Sequence, residues 1–199
     1  MHIKRFFFSL LGMVLALPAA AQYNSGNFVA NEASIYWGVR MGVNSTWLAG
    51  DMGSRAMAGM TLGGVVGLRV AKQEAIFLES GLYYTERGGK TVNGKVHLNY
   101  LELPVLVKGG FAVGNDIILL PYIGPYFSHG LGGSLQTPGE KVSSYEVFKR
   151  FDMGFKAGCG VEYSLFYLEL GYQFGLHDIS KTEQNARTSS LFANFGINF

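Results

Sequence analysis

Residues 166–176 read Phe-Tyr-Leu-Glu-Leu-Gly-Tyr-Gln-Phe-Gly-Leu. Apolar residues occupy every second position from Phe166 to Leu176, whereas most positions between them hold polar residues or glycine. A helix would scatter the apolar residues around its circumference, and the two glycines would weaken it. A strand instead places the two sets on opposite faces. The stretch therefore predicts a β-strand with one apolar and one polar face.

The same alternation recurs along the chain and predicts eight strands, at about residues 35–44, 58–70, 76–86, 96–108, 117–129, 150–163, 166–176 and 189–199. The connections between them are alternately long and short, as in outer-membrane barrels. A strand of about 11 residues tilted by about 40° rises roughly 28 Å, enough to cross an apolar band of about 25 Å. The predicted fold is all-β: an eight-stranded antiparallel up-and-down transmembrane β-barrel.

Three features of the two strand faces indicate that the apolar set points outward into a membrane. The polar set is rich in glycine, which suits the narrow interior of an eight-stranded barrel. The apolar set holds almost no charge, and its aromatic residues gather near the strand ends, as at the two membrane interfaces. The alternative is a soluble lipocalin-type barrel, in which the apolar set would surround a ligand.

The first residues have the pattern of a secretory signal peptide. Lys4 and Arg5 precede an apolar stretch at 6–17, which is too short to span a membrane as a helix. The small residues at 19–21 predict cleavage between Ala21 and Gln22. The predicted organisation is a signal peptide at 1–21, a periplasmic N-terminal segment at 22–34 and an outer-membrane barrel at 35–199.

Composition excludes several classes of protein. The chain of 199 residues has a net charge of +2, which argues against nucleic-acid binding, because such domains carry a basic excess on one face. A single cysteine, Cys159, cannot form an internal disulfide framework or a zinc cluster. No cluster of residues implies a cofactor.

Charged residues occur on the polar strand faces, and we expect them to pair inside the barrel, because buried charges need partners. The predicted network has four positive and five negative members, namely Arg40, Arg69, Lys108 and Lys156 with Glu79, Glu102, Asp152, Glu162 and Glu169. Such a network predicts a plugged interior, with a narrow gated pore as the alternative.

Three segments carry a resemblance to a known family: Trp37–Asn44, Leu78–Tyr84 and Tyr100–Lys108, the last containing Tyr-Leu-Glu-Leu-Pro. Pro121–Pro125 and the closing strand to Phe199 add to it. The sequence resembles the PorT-like, porin-superfamily outer-membrane β-barrel proteins of Gram-negative bacteria. The resemblance implies fold and location; most members lack a defined activity. The final residues Phe195, Ile197 and Phe199 look like the signal read by the barrel assembly machinery.

Some small outer-membrane barrels are enzymes, so the chain could also contain catalytic groups. The candidates are Ser128-His129, His177-Asp178 and Asp152, which together could form a nucleophile, a base and an orienting acid. Adjacent residues of a strand point to opposite faces, so we interpret these dipeptides as solvated residues of the loop end. The glycine-rich pieces 87–90 and 130–133 are predicted loop tips. The chain is therefore predicted not to be an enzyme.

The sequence thus favours an integral outer-membrane barrel with a structural or interaction role. Its expected partners are outer-membrane lipids, the barrel assembly machinery and a protein bound through the extracellular loops. The long third loop, about 130–149, is the expected partner surface, since loops on a rigid scaffold carry function. The alternatives are a small-solute pore, an outer-membrane enzyme acting on lipid or peptide, and a soluble periplasmic lipid-binding barrel.

Overall fold

The computed structural model describes residues 35–50, 54–70, 75–91, 94–113, 116–137, 140–181 and 185–199. The predicted signal peptide and the predicted N-terminal segment lie outside these residues. The elements are β1 (Ile35–Gly50), β2 (Met57–Arg69), β3 (Ile76–Thr91), β4 (Gly94–Gly109), β5 (Phe111–Val113), β6 (Ile117–Thr137), β7 (Glu140–Ser143), α1 (Ser144–Val147), β8 (Phe151–Tyr163), β9 (Phe166–Gly175) and β10 (Ala186–Asn198). None of the helices in the described part of the chain is both long and apolar enough to cross a membrane.

Eight long strands close into an antiparallel barrel, which confirms the predicted fold class. Each of β1 to β4 pairs with its neighbour in sequence, and β8, β9 and β10 do the same. β6 pairs with both β4 and β8, and the ring closes where β1 pairs with β10, from Gly38–Asn198 to Gly50–Ala186. The short strands β5 and β7 pair with the two ends of β6.

The alternation of the sequence becomes an inside and an outside. On β9 exposed and buried residues alternate without exception. The inward set includes charged residues such as Arg40 and Asp152, which are 1% and 0% exposed. The outward set is apolar, with Met60 and Leu170 each 63% exposed. A polar interior with an apolar exterior is the arrangement of a membrane barrel and the reverse of a lipocalin.

The barrel has a turn end and a loop end. At the turn end, two residues join β8 to β9, and Ser164 there has a φ of 56°. At the loop end β1, β3 and β6 run well beyond the predicted limits, so residues 130–149 are not one long loop. The described residues of this range include the end of β6, strand β7 and helix α1. The predicted loop tip at 87–90 likewise lies within β3.

Glycines at 87–90 and 130–133 explain why these segments are not the loop tips that the sequence predicted. A Cβ atom at Gly133 would collide with the carbonyl oxygen of His97, and one at Gly130 would collide with the ring of Tyr145. A Cβ atom at Gly88 would collide with the carbonyl oxygen of Val96. Gly88 and Gly133 therefore permit close approach between strands, and Gly130 makes room for Tyr145 of α1, so these glycines do not mark turns.

Two apolar clusters lie at the ends of the polar interior. The cluster at the loop end consists of Leu48, Val96, Leu98, Tyr100, Tyr145, Phe148, Ile179 and Ala186. The cluster at the turn end consists of Tyr36, Phe77, Ile118, Leu120 and Tyr167. The charged residues of the lumen thus lie between two apolar layers.

Candidate functional site

The part of the lumen nearer the loop end, its upper part, is organised around Arg87, whose side chain projects inward from β3. Its guanidinium pairs with Glu102 of β4, and its Nη1 donates to Asp152 Oδ2 of β8 at 2.9 Å. The guanidinium also lies over the rings of Tyr126 and Tyr100, 5.0 and 5.1 Å from their centroids. One cation therefore joins two acids across the barrel, and we call this group the Arg87 cluster.

Both acids of the Arg87 cluster have further donors. Asp152 Oδ2 accepts from the hydroxyl of Thr188 at 2.7 Å and from that of Tyr126 at 3.2 Å. Glu102 pairs with Lys156 and accepts from Gln173 Nε2 at 3.2 Å. Buried charge survives in an interior of low polarity only when such donors surround it.

The part of the lumen nearer the turn end, its lower part, is organised around Glu79 of β3. One carboxylate oxygen lies 2.8 Å from Lys108 Nζ, and the other lies 3.8 Å from Arg40 Nη2. The Tyr36 hydroxyl donates to the second oxygen at 2.6 Å. We call this group the Glu79 cluster.

The Glu79 cluster continues through amides and tyrosines to two more acids. Lys108 donates to the hydroxyl of Tyr167 at 2.8 Å, and that hydroxyl donates to Glu169 at 3.1 Å. Asn198 accepts from Arg40 at 2.5 Å and donates to Glu162 at 2.5 Å. The cluster therefore includes three of the five predicted acids, Glu79, Glu162 and Glu169.

A cavity of about 10 Å³ lies between the two clusters. Its walls include Asn44, Arg87, Lys156 and Asn194. A space of this size is close to the minimum needed for one water molecule. The side chains around this cavity therefore leave room for about one water molecule.

The structure buries eight of the nine predicted network residues inside the barrel, namely Arg40, Glu79, Glu102, Lys108, Asp152, Lys156, Glu162 and Glu169. Arg69 differs, because it is half-buried at the end of β2, opposite Phe77. The sequence reasoning missed Arg87, which it assigned to a loop tip. The signal was present: Arg87 has the same parity as Glu79 and Tyr83, so extending the alternation of that strand would have placed it inside.

The two candidate catalytic dipeptides do not assemble into a site. Ser128 is buried in the lumen and donates to Glu102 at 3.3 Å, whereas His129 is exposed on the outer wall. The ring of His177 packs edge-on against Phe151 at 5.9 Å. Among the described residues, no three or more His, Cys, Asp or Glu side chains are placed to hold a metal ion.

Asp178 has a local structural role. Its Oδ1 accepts the backbone N–H groups of Ser180 at 3.0 Å and of Ala186 at 2.9 Å. These two hydrogen bonds lower the pKa of the Asp178 carboxyl, and the bond from Ala186 has the larger effect. The positive charge of the nearby Lys149 lowers the pKa further. The carboxylate therefore stays ionised and holds the start of β10 against the segment before it.

Two segments at the loop end dock on each other and cover the lumen. We call residues 143–150 and 177–181 the cap. The backbone N–H of Lys149 donates to the carbonyl oxygen of Ile179 at 2.7 Å, and the backbone N–H of Lys181 donates to the carbonyl oxygen of Val147 at 2.9 Å. Phe148 and Ile179 from the two segments enter the apolar cluster.

The cap is also attached to the barrel wall. The Ser144 hydroxyl donates to the His97 carbonyl at 2.7 Å, and the Tyr145 hydroxyl donates to the Asn99 carbonyl at 3.0 Å. Burial raises the pKa of the Tyr145 phenol to about 12, so it remains a donor at neutral pH. The cap is therefore anchored by both apolar packing and hydrogen bonds to β4.

Residues 20–181 match the family of the outer membrane protein beta-barrel domain. No curated protein matches the chain. Among solved structures, the chain is similar to Neisserial surface protein A, at 18% identity and a TM-score of 0.54, covering 85% of this chain and 100% of that one. It is also similar to a major outer membrane protein from Thermus thermophilus, at 12% identity and a TM-score of 0.50, covering 83% and 100%. At these identities the likeness concerns the fold.

Proposed function

Because the chain belongs to the outer membrane protein beta-barrel domain family, we propose that it is an integral outer-membrane barrel with a structural or interaction role and a closed lumen. The observation that carries the proposal is the filled interior. Five ion pairs link the described residues of the lumen, and the cavity between the two clusters holds about 10 Å³. A solute would have to displace these groups to pass.

The energetics favour a closed lumen over a narrow pore. Breaking a buried ion pair by removing one partner costs about 3–5 kcal/mol, because the other charge is left uncompensated. A permeating solute would have to separate Arg87 from Glu102 and Asp152, and then Lys108 from Glu79. The apolar layer below the cap adds a second barrier, since it offers a hydrated solute few polar contacts.

An interaction role is consistent with the loop end. The long connections of outer-membrane barrels lie on the extracellular side. Here that side presents the cap and the paired strands β6 and β7, where the sequence predicted a long loop at 130–149. A firmly docked surface loses little conformational entropy on binding, so it suits recognition of a protein or membrane partner.

We also propose a PorT-like relationship, export through a cleaved signal peptide and recognition by the barrel assembly machinery, each on separate support. The PorT-like resemblance rests on Tyr100–Lys108, a segment of β4 that supplies both Glu102 and Lys108 to the lumen. Export through a cleaved signal peptide rests on residues 1–22. Recognition by the barrel assembly machinery rests on the aromatic residues of the closing strand: Phe195 packs against Phe166 at 6.0 Å, and Phe199 stacks on Trp37 at 4.7 Å.

The test is conductance of the full chain in planar lipid bilayers. Insertion is checked first on the same preparation, by a shift in gel migration between unheated and boiled samples. We expect inserted protein to add no regular current steps to the bare bilayer. Regular unitary steps from heat-modifiable protein would overturn the closed lumen and support the pore. Recovery from the soluble periplasm without a migration shift would overturn the membrane location itself.

A further inference from the structure

Three cations lie side by side where β2, β3 and β4 reach the loop end. Arg55, which lies just before β2, forms a bridge with Lys90 of β3, and Lys90 pairs directly with Lys95 of β4. All three residues are exposed. Residues directly opposite each other in an antiparallel sheet share a face, so the three side chains form one row across the strands. We call Arg55, Lys90 and Lys95 the cationic row.

The backbone fixes the spacing of the cationic row. The N–H of Arg55 donates to the Lys90 carbonyl at 2.8 Å, and the N–H of Lys90 donates to the Arg55 carbonyl at 3.0 Å. These residues therefore form a hydrogen-bonded pair, in which the Cα atoms lie about 5.5 Å apart. The pair of Lys90 and Lys95 is then of the other kind, in which the Cα atoms lie about 4.5 Å apart and the side chains are closer. The row thus spans about 10 Å.

Within the described residues, the cationic row has no ion-pair partner. None of the five ion pairs in this part of the chain includes one of its members. On the same face of β3, Glu86 lies four residues from Lys90, which is about 13 Å along a strand. Like charges directly opposite each other destabilise a sheet. The row therefore adds nothing to the stability of the barrel, and its charges are available to an anion.

The height of the cationic row places it beyond the lipid headgroups. Tyr84 of β3 is one of the exposed aromatic residues near the loop end, and it lies six residues before Lys90. Six residues at about 3.3 Å each, on a strand tilted by about 40°, rise roughly 15 Å. The headgroup layer is about 5–8 Å thick, and such aromatic residues lie at its level. The row therefore faces the aqueous layer outside the membrane.

The spacing of the row distinguishes between soluble polyanions. In an extended acidic segment of a protein, side chains on one face lie about 6.6–6.8 Å apart, which exceeds the spacing of the row. A linear polysaccharide with an anionic group on each sugar has a shorter repeat. Its hydroxyl groups also suit Gln136 of β6, which lies opposite Lys95 and continues the row with an exposed amide. The polysaccharide therefore matches the row better than the peptide does.

We propose that the cationic row binds a linear polysaccharide that carries a carboxylate or a sulfate on each sugar. The anionic groups of consecutive sugars pair with Arg55, Lys90 and Lys95, and the polysaccharide runs across β2, β3 and β4 towards Gln136. This inference rests on the proposed interaction role and names the chemical class of its partner. It does not depend on whether the barrel conducts, so polysaccharide binding and conductance test different statements.

The test is the binding of fluorescently labelled polygalacturonate, which has a carboxylate on each sugar, to the full chain in phosphatidylcholine nanodiscs. Binding is followed by fluorescence anisotropy at low ionic strength, where exposed charges are least screened. We expect saturable binding of polygalacturonate and none of its fully methyl-esterified form, which keeps the backbone but loses the charge. Lys90→Gln combined with Lys95→Gln should weaken binding about tenfold, which corresponds to about 0.7 kcal/mol for each exposed charge pair.

The matched control combines Arg150→Gln with Arg187→Gln. It removes two exposed arginines from other strands of the loop end and makes the same change in net charge, so binding should change by less than about twofold. Lys90→Arg combined with Lys95→Arg keeps both charges and should retain binding. Folding of each variant is checked by heat-dependent gel migration, so that a loss of binding is not confused with a loss of the barrel.

Four outcomes would overturn the proposal. Equal binding of polygalacturonate and its methyl ester would show that the site does not recognise charge. Equal weakening by the lysine and arginine double variants would show a diffuse charge effect. Stronger binding of polyglutamate than of polygalacturonate would assign the row to an acidic protein segment. Displacement of polygalacturonate by phosphatidylglycerol vesicles, but not by phosphatidylcholine vesicles, would assign it to lipid headgroups.

Discussion

Arg87 and Arg150 are two arginines at the same end of one barrel, and they are stabilised in opposite ways. The guanidinium of Arg87 lies over two tyrosine rings, and that of Arg150 lies over one. Arg87 is 2% exposed and joins two carboxylates, whereas Arg150 is exposed and is held by a backbone carbonyl. Burial requires compensating charge, and exposure does not. Arg87 therefore maintains the barrel as a buried, paired charge, whereas Arg150 keeps its charge at the surface without a buried acid.

The largest expected effect is that of Arg87→Ala. This change leaves Glu102 and Asp152 buried without their shared cation, so the free energy of unfolding should fall by about 3–5 kcal/mol. The measurement is urea unfolding in lipid vesicles, followed by the fraction of protein with the folded gel migration. A loss below about 1 kcal/mol would mean that other donors, such as Thr188 and Gln173, compensate the acids without Arg87.

An intermediate effect is expected from the protonation of Asp178, an acid that is held by backbone N–H groups instead of a buried cation. Its folded-state pKa is lowered, so the stabilisation is present above the unfolded pKa of about 3.9 and is lost as the pH falls through the folded value. We expect hydrogen exchange at the amides of Ser180 and Ala186 to accelerate below about pH 4, relative to amides of β9.

Asp178→Asn is the control for that measurement. Its amide oxygen can still accept N–H groups, but it does not titrate in this range, so the pH-dependent step should disappear. A step that persists in Asp178→Asn would assign the transition to another group.

The smallest expected effect is that of Arg150→Ala on stability. The side chain is exposed and has no acid to leave uncompensated, so the free energy of unfolding should change by about 0.5 kcal/mol or less. Measured beside Arg87→Ala in the same vesicles, this variant gives the cost of losing an exposed arginine that has no ion pair among the described residues. A loss comparable to that of Arg87→Ala would contradict the distinction between them and would make Arg150 a structural residue of the cap.

The sequence predicts the wall of this barrel better than its loop end. Inside a membrane the two faces of a strand meet different solvents, so β9 alternates regularly and its limits were predicted to within one residue. Beyond the membrane both faces meet water or the cap, and the constraint weakens. The predicted end of β3 at residue 86 therefore excluded Arg87 by one position, although β3 extends to Thr91.

The partners within the lumen could not be predicted, because pairing across a barrel depends on stagger and tilt. The sequence indicates that Glu79 and Lys108 both point inward, but their contact follows from the register that places Phe77 opposite Lys108. The cap escaped prediction for a different reason. Its two segments are separated in sequence by all of β8 and β9, and glycine in 130–133 signals close packing as readily as it signals a turn.

The pairing of β1 with β10 has a consequence for how this protein is made. These strands lie about 150 residues apart in the chain, so the ring cannot close until the last strand is available. An open ring would expose Arg40, Glu79 and Arg87 to hydrocarbon, where isolated charge is strongly disfavoured. The paired interior thus penalises partial insertion, and crossing the bilayer and sealing the seam must occur together. Any factor that assists this barrel has to shield its charged face until that moment.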